Sequence, residues 1–265
     1  SFGDKSGLSY AGPEERASVL AFYRRHAERT HGATVHHFMD PHRIFDAPYV
    51  VVCRRAGAIT GYLTFSFVEV DHYTDMYHDL LVHEMVYEDL DTLRRFMTFF
   101  ASQSDQIERV RIFSSDEYLH MMFTNPDSGE NRAHDGCIQE IGRRTMGYMV
   151  RIFDVAGYFR LQTRCCAPVS RDFVMALEIS DHFIPENSGT FLLSISGSTV
   201  SPVEHARPDV TLSADISVLS SLVMGAYPLD RALAFGRASL SDSGYAADIQ
   251  RAIGWDTKPV NYTYF

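Results

Sequence analysis

"LLVHEMVYEDLDTLRRFMTFFASQSDQIERVRIFS", residues 80–114, decides how the first half of the chain is read. It opens on a β-rich apolar run that belongs with "HDLLVHEMVY". Leu90, Leu93, Phe96, Met97 and Phe100 then recur at helical spacing, so "EDLDTLRRFMTFFASQSDQ" reads as a helix. "ERVRIFS" turns back to strand. Upstream, "YVVVCRRAGAITGYLTFSFVEV" (49–70) reads as a hairpin that turns at Ala56 and Gly57. "PEERASVLAFYRRHAERT" (13–30) reads as a helix. Pro13 suits its first position, Glu14 and Glu15 its first turn, and Val19, Leu20, Phe22, Tyr23 and Ala27 its apolar stripe. "EYLHMMF" suggests a short helix and "RTMGYMVRIFDV" (144–155) a strand. Residues 1–160 therefore read as an α/β domain with a mixed sheet.

Near residue 160 the pattern changes. "FVMALEISDHF" and "TFLLSISGS" alternate as strands, followed by "DVTLSADISVLSSLVMG", where Asp215 is placed to cap a helix over 216–224. "LDRALAFG" and "SGYAADIQRAIG" read as further helices. Residues 161–265 are thus expected to form an α+β domain, strands first and helices on one face.

A net charge of −10 argues against a nucleic-acid partner and suits a cationic or amine-bearing one, although solubility alone explains it equally well. Of 24 basic residues only Lys5 and Lys258 are lysine, which reads as genome composition. No apolar run approaches the roughly 18 residues of a membrane helix. "SFGDKSGLSYAGPEERA" has no apolar signal-peptide core. The absence of an initiator Met suggests a processed, tagged or partial chain. Cys53, Cys137, Cys165 and Cys166 form no C-x-x-C pattern, which fits a reducing, cytoplasmic setting.

Most catalytic signatures are missing. His31, His36, His37 and His42, with Asp40 and Asp46, match no zinc spacing, nor do His72, His78 and His83 with Asp75 and Asp79. These read as loop histidines, and His83 as a half-buried strand residue. No G-x-S-x-G elbow, P-loop or G-x-G-x-x-G occurs. "RRAGAITG" (54–61) has the outline of an acyltransferase phosphate loop, but Ile59 fills its last small position and a strand follows, so it reads as the hairpin turn. Cys53, in mid-strand, reads as a small buried hydrophobe. The chain ends on "KPVNYTYF" (258–265), whose Val260, Tyr262, Tyr264 and Phe265 favour burial where termini usually fray.

Several of these stretches together resemble the C-terminal two-thirds of the Eis-type (enhanced intracellular survival) N-acetyltransferases. "YVVVCRRAGAITGYLTFSFVEV" is similar to the hairpin of that family's second GNAT-like domain, and residues 80–114 to its strand, helix and strand. "MGYMVRIFDV" resembles the family's W-x-R-I-x-D-V segment, with Tyr148 as a possible aromatic. "DVTLSADISVLSSLVMGAY" and "PVNYTYF" resemble its sterol-carrier-protein-like domain and closing strand. The resemblance implies a degenerate second GNAT-like domain over 1–160 and a sterol-carrier-like domain over 161–265. It also implies acetyl-CoA bound by an N-terminal domain outside this chain, an amine of an aminoglycoside-like polycation or a protein lysine as acceptor, and assembly as trimers or hexamers. A portion of this kind would be inactive alone.

The resemblance names one catalytic residue, Phe265, whose α-carboxylate would act as general base. A free α-carboxyl titrates near roughly 3.3–3.7, and partial burial raises it. It stays anionic at neutral pH and can accept a proton from an ammonium. Tyr264 departs from members that carry an acid beside the terminal Phe. Two other readings stay open. Leu212, Leu219, Leu222, Val223, Leu233 and Phe235 could line a lipid cavity or fill a core, and residues 1–160 could be an oligomerisation scaffold.

Overall fold

The computed structural model describes residues 3–34, 43–69, 78–128, 140–144 and 149–262. They fall into two compact units, residues 1–119 with 260–265, and residues 120–259.

Unit 1 is a five-stranded sheet in sequential order: β1 (Leu8–Tyr10), β2 (Tyr49–Arg55), β3 (Ala58–Glu69), β4 (His78–Tyr87) and β5 (Ile107–Ile112). All neighbours are antiparallel except β4 and β5, whose parallel pairing is the consequence of the crossover helix between them. The run "VVVC" is apolar throughout because both sheet faces are covered. Val50 and Val52 point to α1 (Arg16–Ala27) and pack with its Val19, Phe22, Tyr23 and Ala27. Val51 and Cys53 point to α2 (Leu90–Ala101) and pack with its Phe96, Phe99 and Phe100. The hairpin turns where expected, with Ala56 at φ +48° and Gly57 at +82°, the left-handed pair a two-residue turn requires. Glycine is also required at Gly61, where a Cβ would come within 2.6 Å of Thr92 Cγ2 and 2.7 Å of the Val86 carbonyl. That close approach seats the start of α2 against β3.

Unit 2 begins, among described residues, with an irregular stretch, and residues 149–154 carry no strand. This corrects the strand expected over 144–155 (145–148 lie outside the described residues). Side chains hold the segment instead. Arg151 pairs with buried Asp181, and the Ile152 amide donates to Ser220 Oγ at 3.0 Å. The Val155 amide donates to Asn187 Oδ1 at 3.0 Å, and Asn187 Nδ2 donates to the Phe153 carbonyl at 3.2 Å. Asp154 caps α3 (Val155–Leu161) through the Gly157 amide at 2.7 Å. Each polar position of "RIFDV" thus has a stated partner.

The rest is β6 (Phe173–Ser180), β7 (Gly189–Ser196), β8 (Thr199–Pro202), β9 (Val210–Asp215), α4 (Ile216–Val223), α5 (Leu229–Ala234), β10 (Ala238–Leu240) and α6 (Ala246–Ile253), with sheet order β10-β9-β6-β7-β8. Asp215 caps α4 through the Ser217 and Val218 amides, as the sequence suggested. Along β6, Phe173, Met175, Leu177 and Ile179 enter one core with all four helices. Leu212, Leu219, Leu222 and Val223 are buried in that core, Leu233 is partly buried beside it, and Phe235 is exposed. All but Phe235 fill the core. Two depressions on this unit, of about 440 and 310 Å³, open to solvent and are lined largely by polar residues such as Glu178, Ser213, Ser217 and Arg237.

Candidate functional site: the start of α2 and the seat of the chain end

Two places in unit 1 bear on acyl transfer. The first is the β4–α2 junction. The pairing of β3 with β4 slips between Thr64 and Phe65, which face Glu84 and Val82, so His83 is an extra residue, a β-bulge. His83 is exposed, not half-buried as expected, and its Nε2 lies 2.8 Å from Ser66 Oγ. Parallel pairing with β5 stops at Val82–Ile112, so β4 runs on beyond its partner toward α2.

A helix start at this point offers free amides to a phosphate only if nothing of the protein's own fills it. Here Asp89 Oδ1 accepts from the Thr92 amide at 2.8 Å. Arg55 from the hairpin pairs with Asp89 and also with Asp91, at 3.4 Å for the latter. Asp91 in turn meets Arg95 Nε at 3.2 Å. The Asp89 carboxyl sits below its ordinary range, chiefly because the Thr92 amide donates to it. With Glu88, three carboxylates surround the helix start, and the nearby guanidinium is already paired. A pyrophosphate would displace a satisfied cap and meet like charge. This helix start does not fit acetyl-CoA.

The second place is where the tail returns. Residues 260–262 belong to unit 1, yet form no strand, which corrects the closing strand expected there. The Val260 amide donates to the His31 carbonyl at 2.9 Å, and Thr34 Oγ1 lies 3.5 Å from Asn261 Oδ1. The Tyr262 ring stands edge-on to Tyr23, centroids 6.2 Å apart, and tilts over His26 at 5.8 Å. Its hydroxyl lies 3.3 Å from His26 Nε2. Beneath them Tyr62 donates to Glu84 Oε1 at 2.9 Å, and Tyr23 to the Thr34 carbonyl at 2.7 Å. Burial pushes the phenols of Tyr23, Tyr62 and Tyr262 well up, with Glu84 adding to each, so all three remain protonated donors. Burial pushes the His26 imidazole down, opposed by Glu88.

Residues 22–152 match the acetyltransferase (GNAT) domain family, and residues 160–262 match the sterol carrier protein domain family. A GNAT-like fold is thus followed by a sterol-carrier-protein-like one. Solved structures align over nearly all of the chain at low identity. Eis1 from Mycobacterium abscessus aligns over 99% of this chain and 63% of its own, at 21% identity and TM-score 0.69. A conserved protein of unknown function, a probable N-acyltransferase, from Enterococcus faecalis V583 aligns over 97% and 61%, at 14% identity and TM-score 0.73. A GCN5-related N-acetyltransferase from Kribbella flavida aligns over 97% and 60%, at 18% identity and TM-score 0.65. The chain thus spans about three-fifths of each of these three structures. No curated protein matches it by sequence.

Phe265 lies outside the described residues, so Tyr262, three positions before it, is the last anchor described. His36, His37, Asp40, His42, His72 and Asp75 also lie outside them. Buried Asp79 meets Arg111 at 2.5 Å. Among the described residues no three His, Cys, Asp or Glu side chains gather as metal ligands, and no helix is long and apolar enough to cross a membrane. The seat made by Tyr23, His26 and Tyr262 has no sequence signal, because its members lie at opposite ends of the chain.

Proposed function

We propose that the 265 residues form the C-terminal part of an acetyl-CoA-dependent N-acetyltransferase, and that their contribution to chemistry is the α-carboxylate of Phe265 acting as general base. Acetyl-CoA supplies the acetyl group and is held by a domain beyond these residues. The carboxylate draws a protonated amine by charge and takes its proton as the nitrogen attacks. A seat close to the chain end restricts where that carboxylate can go, which is what positional catalysis needs. The acceptor is an amine of an aminoglycoside-like polycation or of a lysine side chain, which suits a net charge of −10. The intact protein is a homo-oligomer, a trimer or hexamer, and the present portion alone is inactive.

One observation carries this reading: the chain, after leaving for the sterol carrier domain, returns to the GNAT domain and is fastened there by Val260 and Tyr262. The filled start of α2 supports a cofactor site elsewhere. Calorimetric titration tests that part. Acetyl-CoA added to residues 1–265 should give no binding heat, and micromolar binding would return the cofactor to this domain. The lipid-carrier alternative has less behind it, since five of its six cavity residues pack in or against a core and Phe235 is exposed.

A further inference from the structure

His26, a side chain whose charge can change near neutral pH, lies where the tail is fastened; its ring meets Tyr262, whereas His31 holds the tail through its backbone carbonyl. It projects from the last turn of α1. On one side its ring stacks on Phe22, centroids 6.0 Å apart, and Phe22 meets the buried ring of Tyr62. On the other it is covered by Tyr262. Charged and titratable groups reach this cluster from α1, from Tyr62 on β3, from β4 with Tyr87 acting on Tyr262, from the β4–α2 turn and from the tail. Arg25 on α1 sits over Phe22, with Tyr23 alongside. Glu88 from the β4–α2 turn favours the imidazolium, and Glu84 on β4 acts on Tyr23 and Tyr262. The tail adds Tyr262 itself.

We propose that His26 is the positioning residue for the chain end: neutral, it seats Tyr262 and holds the tail on unit 1, and protonated, it unseats it. This deepens the base reading of Phe265 and rests on it for its relevance to catalysis. The physical reason is desolvation. With the tail docked, an imidazolium at position 26 is enclosed by aromatic rings and loses water, while release of Tyr262 rehydrates it. The sign follows from linkage. The docked state holds His26 at a depressed pKa, so docking is fully present above the ordinary imidazole range and is lost as pH falls through the docked value. Glu88 and the aromatic faces oppose the effect, so its net size is what an experiment reads.

Hydrogen exchange followed by mass spectrometry on the 265-residue chain measures it directly. The protection factor of the peptide containing Val260, already corrected for the intrinsic pH dependence of exchange, should fall roughly threefold or more between about pH 7.5 and 5. In His26→Phe, which keeps a packed ring and cannot titrate, it should stay level over the same range. A level wild-type profile, or an equal fall in His26→Phe, overturns the proposal. Should His26→Phe fail to fold, the NMR titration of His26 in wild type and in Tyr262→Ala decides. Its pKa should rise when the tail's ring is removed, and an unchanged titration overturns the proposal. Neither readout involves acetylation, so failure here leaves the role of Phe265 standing, and failure of that role leaves the docking result intact.

Discussion

The two units solve the same architectural problem with different use of buried polar groups. Each has a five-stranded sheet with a single parallel pair, β4–β5 in one and β6–β9 in the other. In unit 2 two buried carboxylates, Asp181 and Asp248, each take several donors and act as fasteners. Asp181 accepts from Arg151, from the Phe183 and Ile184 amides at 2.9 Å each, and from Asn187 at 3.1 Å. Asp248 accepts from the Ser170 amide and hydroxyl and meets Arg171 and Arg251. In unit 1, apart from buried Asp79 with Arg111, the buried phenols Tyr23 and Tyr62 and the partly buried His26 and Glu84 gather on the face where the tail lands. Saturated polar groups fix a chain path. A cluster closed by a removable segment leaves a place where protonation or release changes something. The difference separates a domain that holds shape from one that presents an end.

The contrast breaks first at unit 2 if its core is not filled. Leu222→Ala should cost about 2–5 kcal/mol in urea denaturation, the range for a packed core leucine. A cost under about 1 kcal/mol would indicate the spare volume of a ligand cavity. Asp181→Ala should cost about 3 kcal/mol, because it leaves Arg151 and two amides without their acceptor. The Asp181 carboxyl is lowered to about 2: burial alone would raise it, but the Ile184 and Phe183 amides, Asn187 and Arg151 together outweigh that. Its contribution is therefore complete above the unfolded value near 4 and is lost as pH falls toward 2. Asp181→Asn should flatten that part of the stability–pH curve, and an unchanged acid slope would remove Asp181 from the account. The smallest effect is expected at the α2 cap. Asp89→Ala should cost about 1 kcal/mol. If acetyl-CoA binding appeared on removing that carboxylate, the start of α2 would be a blocked cofactor site, not one built for another purpose.

Much of this organisation was legible in the sequence. The hairpin turn at Ala56–Gly57, the helix through Leu93 and Phe96, and the Asp215 cap were all read correctly, because each is decided by neighbouring residues. The misreadings share a cause. "MVRIFDV" has the apolar content of a strand, but its course is set by Asp181, Asn187 and Ser220, 30 or more residues away for each bond. β1, β8 and β10, of three or four residues each, are too short for alternation to appear. That Val260 and Tyr262 pack partly against unit 1 was legible from their apolar character, but their partners His26 and His31 were not, since neither sits in a motif.

The central claim, that the chain end supplies the base, is tested most directly by lengthening it. In the intact enzyme, one alanine added after Phe265 moves the carboxylate by a residue and leaves the Tyr262 anchor in place. The rate of amine acetylation at saturating substrate should then drop by roughly 10²–10⁴-fold, the range for loss of a positioned general base. An unchanged rate, with the fold intact, would contradict it.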